Sequence, residues 1–230
     1  MPVVGGAHRP GAESRNDEPH VHAAGLDAKK KSLRASERDE AARAAFAEVI
    51  ATLDADRLVV VDEMGSHVAL TPLYARAPRT QRAYGTVPRN HGTNTSLIAA
   101  LTPQGLGPAL ALQGAVDAAA FVAYVRELLA PTLRPGQIVL LDNLSCHTAP
   151  QVRQLIEARG CQLLYLPTYS PDFSPIENAF AKIKQYLRRV GARTSAALYV
   201  ALAQALDTIS TQEAHNFFQH CGYRFLDQSL

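Results

Sequence analysis

The sequence predicts an α/β fold, a mixed sheet flanked by helices, and three observations predict it. Short apolar or β-branched runs recur at residues 57–65, 94–105, 135–143 and 161–167, helical periodicities alternate with the later ones, and two of the runs end in an aspartate. With 230 residues, 47% of them apolar and 19% charged, there is enough chain for one sizeable core plus an appendage. Such a composition excludes a collagen, a coiled coil and a disulfide-stapled mini-protein. Cys146, Cys161 and Cys221 are an odd count with no CxxC spacing, so buried or idle thiols are expected. No apolar run approaches the roughly 20 residues of a spanning helix, and residues 1–10 lack the apolar region of a secretory signal. A cytoplasmic location with no membrane contact is the expectation.

Residues 1–25 mix Gly, Pro, His and charge without apolar period and read as a disordered leader. A helix is predicted over 36–52, from Ser36 ahead of Asp39 and from Phe46, Val49 and Ile50 at helical spacing. RLVVVDEMG (57–65) is a strand ending in two acids and a Gly. VALTPLYARAP (68–78) and NTSLIAALTPQG (94–105) read as two further strands, and GPALALQGAV (107–116) as another. Asp117 caps a helix to about 129, PGQIVLLDN (135–143) is a buried strand, and 148–159 is a helix stopped by Gly160. CQLLYLP (161–167) is the next strand. The Pro-rich turn TYSPDFSP (168–175) then leads into helices over 176–189 and 194–209. There is no internal repeat.

The net charge of +2 conceals segregation. Residues 1–56 carry eight basic and ten acidic residues, whereas 64–116 hold no acid beside Arg76, Arg79, Arg82 and Arg89. Residues 178–206 again hold no acid beside Lys182, Lys184, Arg188, Arg189 and Arg193. Screening confines each field to about 8 to 10 Å, so such runs attract polyanions even on a near-neutral chain. Solvated basic faces that keep the protein soluble are the plainer reading.

LVVVD ends in Asp62 and IVLLD in Asp142, each carboxylate standing where an apolar strand leaves the core. If the strands are neighbours the two converge, and like charges at close range call for a divalent cation; Mg²⁺, which takes oxygen ligands, is the natural one. A strand-end Asp also commonly caps a turn or binds a ribose. Glu177 follows in the first turn of a helix entered through Pro175, where an acid is also ordinary as complement to the helix dipole. Glu63, next to Asp62, points to the opposite strand face and is expected to support rather than ligate. Asp172 is expected in an Asx turn, and Tyr165 and Tyr169 as core or turn aromatics.

Taken together, Asp62, Glu63 and Gly65, then Asp142, Asn143 and His147, then Leu166, Pro167, Tyr169, Ser170, Pro171, Asp172, Pro175, Ile176, Glu177 and Asn178, resemble the catalytic core of the DDE transposases, more narrowly the mariner-type insertion-sequence transposases of bacteria. KKKSLRASE (29–37) resembles that family's linker, and the likeness runs over roughly residues 29–225. The resemblance implies a ribonuclease-H-like fold with a mixed five-stranded sheet, a catalytic domain over 57–230, a linker and helix over 29–56, and a disordered or non-native leader over 1–28. It also implies that Asp62, Asp142 and Glu177 are the catalytic, metal-binding triad.

Two metals about 3.5 to 4 Å apart would activate the attacking hydroxyl and steady the leaving oxygen, with Mg²⁺ or Mn²⁺ bridged by Asp62 and held by Asp142 and Glu177. The implied partners are double-stranded DNA at transposon ends and target, and a second copy of the chain once on DNA. Arg79, Arg82, Arg89, Asn143, His147, Lys182 and Lys184 are the candidate DNA contacts. The leader is too short and aperiodic for the family's helix-turn-helix region, so a separate helix-turn-helix reading-frame product, or a remnant chain, is expected. A DNA-binding inhibitor without activity and a non-transposing ribonuclease-H-like nuclease remain the alternatives.

Overall fold

A computed structural model describes residues 35–226. The expected leader and the linker as far as residue 34 lie outside the described residues. One sheet holds β1 (Leu58–Ser66), β2 (Thr95–Thr102), β3 (Gly105–Gln113), β4 (Ile138–Leu141) and β5 (Gln162–Tyr165), in the order β3-β2-β1-β4-β5. The first three strands form an antiparallel meander, and β4 and β5 run parallel to β1. This is the mixed five-stranded sheet that the sequence implies.

The helices are α1 (Glu40–Thr52), α2 (Ala118–Tyr124), α3 (Pro150–Glu157), α4 (Pro175–Val190), α5 (Ser195–Leu206) and α6 (Thr211–His220). Local chemistry sets their starts. Asp39, not Ser36, caps α1 by accepting from the Ala41 and Ala42 amides, and Asp117 and Thr194 cap α2 and α5. The helical path of α2 continues through Leu129 as a wider π turn. At the end of α4 the chain turns through Gly191 in the left-handed region, φ 63°. The sequence reading stopped at Ile209 and missed α6, although Ser210 and Glu213 form a reciprocal capping box there.

Residues 68–78 are a correction. They form no strand; 67–94 is an irregular connection between β1 and β2. Pro72 and Pro78 remove two of the amide donors that a ladder needs, and Leu73 and Tyr74 stay exposed.

Side chains alternate along β1 and β4 and feed two cores. Leu58, Val60, Met64, Ile138 and Leu140 pack with Phe46 and Ile50 of α1 and with Ile176, Phe180 and Ile183 of α4. Val59, Val61, Val139 and Leu141 pack on the other face with Phe121 of α2 and with Val152 and Ile156 of α3. Cys161 and Cys221 are buried, and all three cysteines are free. Among the described residues no helix is long and apolar enough to cross a membrane.

Phe180 is 1% exposed at the centre of the contact between α4 and the sheet. Phe180→Ala is expected to destabilise the fold by about 3 to 5 kcal/mol, from lost transfer energy and the cavity left behind, read as a lower urea midpoint.

Candidate active site

Pairing of β1 with β4 runs Leu58 to Ile138, Val59 to Val139 and Val60 to Leu140. Carried two residues further, the same register sets Asp62 opposite Asp142. The strands diverge there, so the carboxylates stand at the opening between them, on the face that α4 covers. Asp62 is not at a strand end as expected: β1 continues to Ser66, paired with β2 alone. Its cross-strand partner is Ala99, which leaves the space above it clear. Asp62, Asp142 and Glu177 line one cavity of about 300 Å³, with Asn143, Leu166, Tyr169 and Ser170 among its other walls.

Asp62 is pushed up to about 7, chiefly by burial. The charges of Asp142, Glu63 and Glu177 add to this, and the Glu63 amide, 2.7 Å from its Oδ1, opposes it. Asp142 accepts from the Leu144 amide at 3.0 Å. Asn143, on the cavity wall, donates to the Leu166 carbonyl at 2.9 Å, tying the end of β4 to the end of β5.

His147, expected at the DNA surface, is a second correction, for its side chain is fully buried. Its Nδ1 lies 2.5 Å from Asp142 Oδ1 and its Nε2 lies 2.8 Å from Glu63 Oε2, while its ring packs on Phe121 at 4.2 Å. Burial opposes its charge, but the two carboxylate bonds outweigh burial and hold it at about 9. Glu63 does face away from Asp62, as alternation requires, and meets His147 on that side. Among the described residues, Glu63, Cys146 and His147 are the one group of three whose ligand atoms all lie within 4.8 Å. The carboxylate triad is more open than that and borders a cavity. Cys146 is pushed up to about 11 by burial and by Glu63, so its thiol stays protonated.

Glu177 opens α4 and its amide donates to Ser174 at 3.2 Å. In the turn before it, Asp172 makes an ion pair rather than the expected Asx turn: Arg43 of α1 donates from Nη1 to Oδ1 at 3.0 Å and from Nη2 to Oδ2 at 2.6 Å. Burial would raise this carboxyl, but the Arg43 bonds and charge win and hold it below the ordinary range. Tyr169 stands at the cavity rim, exposed, with φ 53°, a conformation rare for a bulky residue and not foreseen from the sequence. Tyr165 is a structural aromatic, its hydroxyl donating to the His147 carbonyl at 3.1 Å.

Arg79, Arg82 and Arg89 are exposed along the irregular 67–94 segment. Lys182 is already engaged, with Nζ donating to Thr208 O at 2.6 Å and to Glu213 Oε1 at 2.5 Å. Lys184 is partly exposed on α4. A larger cavity, about 930 Å³, opens beside Arg57, Thr102, Gln104 and Arg134, but it gathers no group of acids. The chemistry follows the carboxylates, not the larger volume.

A sheet in this order, with acids from β1, the end of β4 and the start of α4, defines a ribonuclease-H-like fold with an acidic cleft. The chain belongs to the DDE superfamily endonucleases, whose family profile matches residues 57–198, more than half of its length. In fold it is similar to Mos1 in a pre-cleavage transpososome, with TM-score 0.72 and 19% identity over 86% of this chain and 64% of that one. It is similar also to Mos1 in a mariner paired-end complex with Mn, with TM-score 0.68 and 20% identity over 86% and 64%. The isolated catalytic domain of Mos1 mariner transposase gives TM-score 0.59 and 18% identity over 83% and 92%. The chain thus spans somewhat less than two thirds of the longer Mos1 chains. No curated protein sequence matches it.

The Lys182 to Glu213 tie carries a pH signature. Glu213 is pulled down to about 2, first by the Lys182 bond and then by the Ser210 amide. A lowered carboxyl adds stability above its unfolded value, here 4.5, and loses it as pH falls toward 2. Both side chains are about a third exposed, so Glu213→Gln is expected to cost no more than about 1 kcal/mol at pH 7. In urea titrations the difference from wild type should vanish between pH 4.5 and 2.

Proposed function

We propose that the chain cuts DNA strands at transposon ends and joins them to target DNA, as the metal-dependent catalytic part of a mariner-type insertion-sequence transposase acting in the cytoplasm. The observation that carries this reading is the β1 to β4 register, which sets Asp62 and Asp142 side by side on the face where α4 brings Glu177. Family membership and the transposase fold support it.

The donor set fits a hard divalent cation, Mg²⁺ or Mn²⁺. Three carboxylates open on one cavity, the thiol of Cys146 is not on its wall, and Asp62 is pushed up to about 7 by burial first and by its acidic neighbours in addition. Asp62, Asp142 and Glu177 would hold a two-metal site, and such a pair supplies an activated hydroxyl and charge neutralisation at the phosphate. His147 holds Oδ1 of Asp142, and the ladder of β1 fixes the backbone of Asp62. The basic 67–94 segment and Lys184 would draw in the phosphate backbone, while the charge of Lys182 is largely spent on Glu213. No protein nucleophile is needed. In cleavage a water oxygen bonds to the phosphorus, the bond to the 3′ oxygen breaks, and that oxygen leaves as a 3′-hydroxyl. In transfer the 3′-hydroxyl takes the place of water, and one phosphodiester forms as another breaks. Two copies on the DNA and a helix-turn-helix partner for end recognition complete the proposal, both resting on the sequence resemblance.

Asp142→Asn keeps shape but removes the charge that holds a cation. It should abolish Mg²⁺- or Mn²⁺-dependent nicking of labelled transposon-end DNA, a loss of several kcal/mol in transition-state stabilisation, with DNA affinity nearly unchanged. Equal nicking by wild type and variant would end the triad assignment. Replacing Arg79, Arg82 and Arg89 by Ala should weaken binding to all sequences alike and flatten the log-log salt slope by about 0.9 per lost contact. An unchanged slope would return these arginines to solvated surface.

A further inference from the structure

Like α3, the helix that presents Glu177 lacks the side-chain cap that starts the other four. Asp39, Asp117, Thr194 and Ser210 cap α1, α2, α5 and α6 through their side chains, whereas Ser174, at the same position of α4, makes no capping bond. Its buried hydroxyl has no hydrogen-bond partner at all. The start of α4 must therefore be fixed from outside, because uncapped first turns are otherwise free to fray.

Two tertiary grips do this. From α1, Arg43 holds Asp172 with both arms of its guanidinium, 3.0 and 2.6 Å, and lies flat over Phe173 with 4.3 Å to the ring centroid. Phe46, one turn on, packs its ring against Phe173 at 5.4 Å. From the C-terminal side, the Tyr223 hydroxyl donates to the Phe173 carbonyl at 2.8 Å. Arg43 is 7% exposed, an unusual burial for an arginine, and its partner lies 129 residues away in sequence. A helix ahead of the first strand thus reaches across to the turn that delivers the third acid.

We propose that Arg43 is a positioning residue: by clasping Asp172 and Phe173 it does the work of the missing cap and sets Glu177 against Asp62 and Asp142. The clasp also links α1, the segment through which anything upstream joins the fold, to the geometry of the acidic cavity. The proposal deepens the reading of Glu177 as a metal ligand and rests on it.

The test uses Arg43→Met, with Arg43→Lys and Asp172→Asn beside it in case the first fails to fold; Lys keeps the charge but not the bidentate grip. Hydrogen exchange reads the clasp directly, without metal. The amides of Phe173, Ser174 and Glu177, bonded to Ser170, Pro171 and Ser174, should lose about tenfold or more of their protection, while those of β4 keep theirs. Titration with Mn²⁺ alone should then show half-saturation raised about tenfold or more, the scale on which groups behind a ligand tune metal affinity. Arg43→Lys should fall between wild type and Arg43→Met. Unchanged exchange in the turn overturns the proposal whatever the chain does to DNA. Loosened exchange with unchanged Mn²⁺ affinity reduces Arg43 to a stabilising contact and overturns the positioning role. Glu177→Gln is the control that separates the two readings: if it leaves Mn²⁺ binding untouched, the triad assignment fails, and the positioning role falls with it.

Discussion

Because side chains alternate between faces along a strand, the pairing of Val60 with Leu140 decides which face receives Asp62 and Asp142 two residues later. A slip of one residue would turn Asp62 toward α2 and α3 and send Glu63 to the α4 side. Both faces of β1 are apolar as far as Val61, so hydrophobic burial alone discriminates weakly between the two settings. The polar ends of the strands add what the cores lack. In the observed register Glu63 meets His147, while Asp62 meets an open cavity. The inverted register would bury an acid against Phe121 with no assured partner. Fold specificity and site geometry therefore share one determinant.

The acids themselves oppose this arrangement, since four carboxylates in one region repel and Asp62 is held far above its ordinary value. His147 relieves part of that strain by standing between Asp142 and Glu63 with a bond to each. One buried ring thus spans both faces of the sheet at its carboxyl end, bonded on one side to a cavity acid and on the other to an acid of the opposite face. An apolar residue of the same size would donate to neither carboxylate and leave Asp142 to the Leu144 amide.

The sheet was legible because its signals are local, short apolar runs bounded by turn residues, and the three acids of the cavity stood out in the same way, an aspartate after each of two runs and a glutamate in a Pro-led helix. The strand expected over 68–78 is absent because the apolar residues Val68, Leu70 and Leu73 suggest a strand whose ladder Pro72 and Pro78 then prevent. The place of His147 could not be read, since its partner Glu63 lies 84 residues away and a histidine beside an acid motif looks the same whether it faces solvent or core. The tie of Lys182 could not be read either, since its partner Glu213 sits 31 residues away on α6. Nothing in the sequence singled out Arg43, and Asp172 read as an Asx-turn residue. Only the fold makes them a pair.

The long connection between β1 and β2 leaves and rejoins the sheet at adjacent strands, paired from Ser66 and Thr95 onward, with Ser66 Oγ donating to Thr95 O at 3.2 Å. The zipped base anchors the excursion, whose first apolar residues, Val68 and Leu70, pack against the core on the α4 side. Doubling such a loop costs only about 0.6 kcal/mol in closure entropy, so its length and composition can drift at almost no expense to folding. Beyond Leu70 the arginine-bearing segment is in this sense a replaceable cassette, free to change while the acid-bearing scaffold stays constant.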